Sequence, residues 1–249
     1  MILVRAFFVA VGLIVVWQAI ILVFAPPAFM LPAPVAVFEA LRDRPNLWRV
    51  DAVTTATETV IGLVAGTALG MLLALVMSFL PTTKRMLLPL MVVSQALPVF
   101  AIAPLIVIWF GYGIGSKVVM AALIIFFPVA SAFHDGLKTT NETWLDLARG
   151  WGATRAQTLF LVRIPAALPS LASGLKIAAT LAPIGAIVGE WAGASGGLGY
   201  VMLQANARVQ TDIVFACIIV LAASAFLLRF AVAAACDRLV FWQARNAIG

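Results

Sequence analysis

The chain has 249 residues, of which 64% are hydrophobic and only 10% are charged, and its mean hydropathy is +1.11. Soluble domains carry roughly 25% charged residues, so a water-exposed globular fold is excluded by its shortage of polar surface. The net charge of +6 suits the loops of a membrane protein and gives little support to nucleic-acid binding.

A helix needs about 20 mostly apolar residues to cross a bilayer. The sequence predicts an all-α polytopic membrane protein with about six transmembrane helices, at 6–25, 58–80, 87–110, 118–134, 169–191 and 213–235. The first segment is longer than the ~7–15 apolar residues of a signal peptide, and no small-x-small cleavage site follows it. We interpret it as a retained helix.

The second and third predicted spans carry packing signals. Gly62, Gly66 and Gly70 recur every four residues, a small-residue stripe that lets helices approach closely in lipid. The third span contains three prolines, each of which removes a backbone donor and kinks a helix. Freed carbonyls at membrane depth are tolerated beside protein or a wet cavity, so this span is a candidate for lining a path. The prolines are Pro89, Pro98 and Pro104.

Basic residues favour a topology with both termini in the cytoplasm. With the N-terminus inside, ten Lys and Arg residues face the cytoplasm and five face outward. The outward group includes Lys117, just before the predicted fourth span, and three arginines of the loop after the first span. Lys176 is left inside the fifth span.

Residues 139–165 interrupt the apolar pattern between spans four and five. Thr139 and Glu142 have the spacing of a capping box, and so do Thr154 and Gln157. Gly152 can adopt a positive φ and end the first helix. The pattern predicts a cytoplasmic helix–turn–helix whose second helix is closed by Pro165. Its apolar residues are not needed to cross the bilayer, so they can pack on the spans, lie in the headgroup region, or insert into a partner.

This stretch resembles the EAA loop of ABC importer permeases, which has Glu-Ala-Ala, three residues, Gly, nine residues and Ile-x-Leu-Pro. Here the pattern is Asp146-Leu147-Ala148, then Gly152, then 162–165 with the sequence Val-Arg-Ile-Pro. Every spacing is kept, with Asp for Glu and Leu for the central Ala. The resemblance assigns coupling to an ATPase to Trp144, Asp146, Leu147, Ala148, Arg149, Gly152, Thr154, Arg155 and Pro165.

The resemblance covers nearly the whole chain. "LPAPVAVFEAL" and "GLKIAATLAPIGAIVGEWAGASGGLGYVM" are similar to the nitrate, sulfonate and taurine branch. "LPVFAIAPLIVIWFGYG" is most similar to permeases for thiamine-precursor pyrimidines. The resemblance as a whole implies a type I importer fold with an N-terminal helix and outer loop (1–57), a permease core (58–240) and a cytoplasmic tail (241–249). The resemblance further implies that the substrate is a pyrimidine of this kind, or otherwise a sulfonate, taurine or nitrate-like anion.

The resemblance also implies partners. A pair of ATPase subunits would bind ATP and Mg²⁺, since this chain has no GxxxxGK[ST] loop and is itself expected to hold no cofactor and to be no enzyme. A periplasmic or lipid-anchored binding protein would deliver substrate. A second copy would complete the path in the bacterial inner membrane, making a homodimer surrounded by lipid.

Few residues remain as chemical candidates. No His, Cys, Asp and Glu cluster has metal-ligand spacing, and no nucleophile–base motif appears. His134 and Asp135 are interpreted as solvated helix-end residues rather than a proton relay. Glu190 can contact the binding protein or cap its span. The predicted path residues are Pro98, Pro104, Lys176 and Glu190.

Two other classes of membrane protein have recognisable sequence signatures. A secondary transporter would show internal repeats and midplane carboxylates, and a membrane-embedded enzyme would show a polar cluster at one interface. Neither signature is present, so an ABC importer permease is the preferred function and a secondary transporter of a small solute is the alternative.

Overall fold

The computed structural model describes residues 2–242, and that part of the chain is built from helices and short connections. Residues 243–249 of the predicted tail lie outside the described residues. The all-α prediction is confirmed. Eleven α-helices follow in order within these residues: α1 (Ile2–Phe24), α2 (Pro34–Asp43), α3 (Ala52–Phe79), α4 (Pro81–Ala96), α5 (Val99–Phe110), α6 (Ile114–Lys138), α7 (Glu142–Gly150), α8 (Arg155–Thr158), α9 (Ile164–Gly193), α10 (Leu198–Ala207) and α11 (Thr211–Leu239).

Four continuous helical stretches in the described residues are long and apolar enough to cross a membrane. They are Leu47–Phe79, Ile114–Lys138, Arg155–Gly193 and Thr211–Leu239. The first and third include π-helical turns, Leu47–Asp51 and Leu159–Arg163, which join α3 and α9 without a break. The apolar segment predicted at 6–25 corresponds to α1.

The predicted third span is not one helix. Residues 83–96 and 99–110 form two helices bent by 102°. The break falls where Pro98 takes an extended backbone with ψ 114° at the start of α5. Pro89 and Pro104 stay inside α4 and α5. Of the three prolines, only Pro98 therefore interrupts the helix. Leu97 before it is also extended, as residues that precede proline prefer to be.

Three helices, α3, α6 and α9, form the centre of the molecule. A Cβ on Gly62 would meet Ala121, and one on Gly70 would meet Phe126 and Val129, so α3 and α6 run parallel. A Cβ on Gly185 would meet the same Ala121 from α9. The predicted glycine stripe is confirmed as a close-packing face, and α9 contributes a second such face.

The three-helix centre has two ends. We call the end where α6 leads into residues 139–163 the loop end, and the end that carries α10 the far end. At the far end, α2, α10 and α11 share a hydrophobic cluster with α9 that includes Val37, Leu198, Ile213 and Ile187. Trp17 of α1 packs on this cluster, with its ring centroid 5.4 Å from that of Phe215.

Candidate functional site

The segment between α6 and α9 is a helix–turn–helix, as the sequence predicts, but its first cap differs. Asn141 is the N-cap of α7, and its side chain accepts a hydrogen bond from the Thr143 N–H at 2.9 Å. Thr139 instead ends α6, with its hydroxyl donating to the Asp135 carbonyl at 3.0 Å. The predicted Thr139–Glu142 capping box is therefore wrong, because this hydroxyl is already bonded to the preceding helix.

Gly152 makes the turn that the sequence assigns to it. Its φ is +73°, in the left-handed region that glycine enters without a steric penalty. The Gly152 N–H donates to the Arg149 carbonyl, and the Ala153 N–H donates to the Ala148 carbonyl, both at 2.9 Å. These two bonds form a Schellman motif, which satisfies carbonyls that the end of α7 leaves unpaired. The turn thus fixes the direction in which the chain leaves α7.

The second helix begins as predicted and ends elsewhere. The Thr154 side chain accepts from the Gln157 N–H at 3.2 Å, and the Gln157 side chain accepts from the Thr154 N–H at 2.8 Å, a complete capping box. Pro165 does not close the helix, because Arg155–Gly193 is one 39-residue stretch. The π-helical turn before Pro165 absorbs its missing N–H. Residues of α8 are therefore continuous with the long helix.

The surface of α7 has one aromatic, exposed face. Trp144, Leu147 and Trp151 project from it, and Trp151 is 86% exposed. Ala148 faces inward and is 8% exposed. These three exposed residues lie at i, i+3 and i+7, the spacing of anchors that insert into a groove. Exposed large apolar side chains at this spacing are typical of a protein contact.

The charged residues of α7 pair with each other. Arg149 donates to Asp146 at 2.9 Å, and both side chains are exposed. Arg155 makes no hydrogen bond or ion pair within the described residues, so its guanidinium is available. Arg163, which sequence analysis did not single out, donates twice to the Leu137 carbonyl, at 3.0 and 2.8 Å. This contact ties the start of α9 to the end of α6 and closes the base of the loop.

Lys176, predicted on the path, is paired within the chain. Its Nζ lies 2.9 Å from Asp237 Oδ1, so the lysine links α9 to α11 near the loop end. His134 is 6% exposed on α6, which overturns the prediction that it is a solvated helix-end residue. Pro98 and Pro104 are both exposed on the bent pair of helices, a position that leaves their predicted role untested.

Glu190 lies in a buried polar cluster at the far end and is 1% exposed. Its carboxylate accepts hydrogen bonds from the Thr55 hydroxyl at 2.5 Å, from the Gly199 N–H and, at 3.3 Å, from the Tyr200 N–H. The last two are N–H groups of the first turn of α10, which favour a negative charge. Glu190 therefore caps α10 and not its own helix, α9.

Two further members of this cluster were missed. Lys117 was predicted as an outer-loop charge, but it lies in the first turn of α6 at 2% exposure, and its Nζ donates to the carbonyls of Tyr112, Gly113 and Gly193. Glu58 of α3, 6% exposed, adjoins the Glu190 carboxyl group. Both sit at predicted span ends, where a charge is expected to reach water. For Glu58 a sequence signal existed, because it lies four residues before Gly62 and so shares the glycine face of α3.

Comparison with known proteins identifies the family. The model of the binding-protein-dependent transport system inner membrane component matches residues 66–240. A probable ABC transporter permease protein of Haemophilus influenzae is 46% identical over 88% of this chain and 90% of its own length. The formylaminopyrimidine transport permease protein ThiX of Halalkalibacterium halodurans is 39% identical over 84% of each chain. The taurine transport system permease protein TauC of Escherichia coli is 34% identical over 94% of this chain and 87% of its own.

Solved structures agree on the fold. The inward-facing MetNI methionine ABC transporter aligns with a TM-score of 0.62 at 17% identity, covering 78% of this chain and 94% of that chain. An amino acid ABC transporter aligns with the same TM-score at 20% identity, covering 81% and 96%. The architecture is therefore that of an ABC importer permease.

The fold and the relatives define the class of protein, which is a multi-pass permease that works with a separate ATPase subunit and a substrate-binding protein. The chain belongs to the family of binding-protein-dependent transport system inner membrane components and is the permease subunit of an ABC importer. Such subunits are not enzymes, and the family places the chain in the bacterial inner membrane. The secondary-transporter alternative is thereby excluded.

Proposed function

We propose that residues 139–165 receive force from a pair of ATPase subunits, which bind the ATP and Mg²⁺, and pass it into the translocation path. The observation that carries this proposal is the combination of an exposed aromatic face on α7 with the unbroken helix from Arg155 to Gly193. The residues proposed for this coupling are Trp144, Asp146, Leu147, Ala148, Arg149, Gly152, Thr154, Arg155 and Pro165.

The contact would form in two layers. The exposed face of α7 supplies apolar anchors, while Ala148 lets α7 pack against the protein behind it. Asp146 and Arg149, which pair with each other in the free chain, would exchange partners with charges on the ATPase. Exposed ion pairs of this kind contribute only about 0–1 kcal/mol, so such an exchange is inexpensive. Gly152 and Thr154 would act on the geometry of the contact rather than touch the ATPase.

The test is copurification of the ATPase with a Leu147→Asp variant. A carboxylate in the middle of the apolar face should abolish the complex while leaving membrane insertion intact. Leu80→Asp is the matched control, because Leu80 is similarly exposed at the loop end but lies outside the loop. Loss of the ATPase from both variants, or from neither, would contradict the assignment.

We propose further that the loop end faces the cytoplasm and that both termini do so too, as the count of basic residues favours. Labelling of a Thr154→Cys variant in sealed cells should fail with membrane-impermeant thiol reagents. The two native cysteines, Cys217 and Cys236, are buried and give a low background. Efficient labelling from outside would show that the loop end faces outward and would contradict the proposed topology.

We propose that two copies of the chain build the path, with the bent α4–α5 pair of each copy lining it. Pro98 and Pro104 are exposed on this pair together with apolar neighbours such as Phe100 and Leu105. Lys176 and Glu190 belong to the same proposal, as residues beside the path. If Lys176→Met transports normally with unchanged ATPase coupling, the Lys176–Asp237 pair is only an anchor.

For the substrate, we propose a thiamine-precursor pyrimidine in preference to a sulfonate, taurine or nitrate-like anion. The relative named for formylaminopyrimidine transport is 39% identical, and the relative named for taurine transport is 34% identical. Calorimetric titration of the cognate binding protein with a hydroxymethylpyrimidine and with taurine tests this preference. Binding of taurine alone would overturn it.

A further inference from the structure

A basic cavity of about 480 Å³ lies at the loop end, between the last turn of α3 and the inner side of the helix–turn–helix. Three arginines line it, Arg149, Arg155 and Arg163, and no carboxylate is among the residues of its wall. Asp146 neutralises Arg149 from outside the cavity. The described walls therefore carry an excess of positive charge without an internal counter-ion.

The rest of the wall is apolar. Phe79, Leu145 and Leu159 contribute to it, and the exposed ring of Phe160 lies 6.4 Å from that of Phe79, centroid to centroid. Phe79 is the last residue of a membrane-spanning helix, so the apolar side of the cavity continues the lipid-facing surface of that span. A ligand that suits both walls has an anionic head joined to hydrocarbon.

The cavity shares Arg149 and Arg155 with the proposed ATPase contact, but the apolar anchors of that contact lie outside it. Leu145 and Arg149 share one face of α7, while Trp144, Leu147 and Trp151 lie on another. Successive helical residues are rotated by about 100°, which places the two sets about 150° apart around α7. The ATPase can therefore occupy the aromatic face without entering the cavity.

We propose that this cavity binds the phosphate of an anionic phospholipid headgroup from the adjacent leaflet, with the acyl chains along Phe79 and Phe160. Basic pockets between transmembrane helices on the cytoplasmic side are suited to such headgroups. Arg155, which has no described ion pair, and Arg149 supply the primary phosphate contacts. Arg163 supplies its remaining N–H groups, since Nε and one Nη already bond the Leu137 carbonyl.

A bound headgroup would join three parts of the loop end. It would connect α7 through Arg149, α8 through Arg155 and the end of α3 through Phe79. It would thus hold the helix–turn–helix at the membrane surface in the orientation that the described structure shows. The proposal concerns lipid alone and remains testable when no ATPase is present.

The test is native mass spectrometry of the full-length chain titrated with phosphatidylglycerol. The variant carries Arg149→Gln and Arg155→Gln. Each basic residue near a membrane surface contributes about 1 kcal/mol to anionic lipid binding, so the affinity should fall roughly thirtyfold. The control carries Lys138→Gln and Arg238→Gln, which remove the same charge from exposed positions at the loop end outside the cavity. It should bind as the unaltered chain does. Arg163 is left intact because it also closes the loop.

Two further titrations decide the source of the phosphate and the alternative partner. Phosphatidylethanolamine should bind weakly and should not differ between the two variants, and millimolar inorganic phosphate should not displace phosphatidylglycerol. Equal losses in variant and control would overturn the proposal, as would displacement by free phosphate. If the cavity variant binds lipid normally but no longer copurifies with the ATPase, the cavity serves an acidic segment of the ATPase and the lipid proposal is wrong.

Discussion

Replacement of Gly152 by valine isolates the contribution of one backbone conformation to coupling. Gly152 has a φ of +73°, and a Cβ built on it meets no atom within 4 Å. The penalty is therefore strain in the backbone rather than a clash. A residue held in a sparsely populated region costs of order 1–3 kcal/mol, and a β-branched residue falls toward the upper end. At about 1.4 kcal/mol per tenfold, the intact turn loses roughly fivefold to a hundredfold in population.

Gly150→Val is the matched control. A Cβ at Gly150 also meets nothing within 4 Å, but its φ is negative, so valine fits the last turn of α7 at little cost. Gly152→Asn should be intermediate, because asparagine tolerates the left-handed region better than valine does.

The assay is copurification of the ATPase in detergent together with substrate uptake by cells. Gly152→Val should insert in the membrane at normal levels, yet lose both the ATPase and uptake, because α7 and α8 no longer leave the turn in the correct directions. Gly150→Val should behave as the unaltered protein does. Retained assembly and normal uptake in Gly152→Val would refute the reasoning and leave the loop without a mechanical role.

Three other substitutions test the packing and the caps. Thr154→Ala removes the side-chain half of the α8 cap at a cost of about 1 kcal/mol, so hydrogen exchange at the Gln157 amide should accelerate roughly fivefold; an unchanged rate would show that the cap does not hold α8. Lys117→Met deletes three hydrogen bonds from the charged amine to carbonyls, a kind of bond worth about 1.5–3 kcal/mol. It should lower the melting temperature in detergent by several degrees, whereas Lys138→Met, at an exposed position, should not. Equal melting temperatures of the two variants would refute the burial of Lys117. Gly185→Ala drives a methyl group into the Ala121 backbone and should lower the free energy of unfolding by about 1–3 kcal/mol. Gly12→Ala is the control, because Gly12 has open space around it. Equal stability of the two variants would contradict close packing of α9 on α6.

Much of the fold could be predicted because its signals are local. Apolar length predicts four continuous spans of the described residues but not the bend within the predicted third one. The glycine spacing predicts the packed face of α3, and Gly152 with the Thr154–Gln157 pair predicts the turn and the second cap. Each of these depends on residues within one or two helical turns. Where two caps compete, local reasoning fails: Asn141 and Thr139 lie two residues apart, and only the bond from Thr139 back to α6 decides between them.

The remaining differences depend on distant contacts. Lys117 is buried because the Gly193 carbonyl approaches it from a helix that begins dozens of residues later. Glu190 caps α10 through the N–H groups of Gly199 and Tyr200, and its bond to Thr55 crosses 135 positions of sequence. The pairing of Lys176 with Asp237 likewise joins two separate helices. The spacing of residues along the sequence does not indicate these contacts between distant helices.

Proximity of α7 to the ATPase is the most direct measure of the proposed coupling. A Trp151→Cys variant, with the thiol at the most exposed position of the aromatic face, should cross-link to the ATPase through a short bifunctional reagent in membranes. A Leu203→Cys variant on α10, exposed at the far end, should give no such product. The account predicts a permease–ATPase adduct from Trp151→Cys alone, with a yield that changes when ATP is added. Cross-linking from Leu203→Cys without any from Trp151→Cys would place the ATPase at the other end of the molecule and contradict the account.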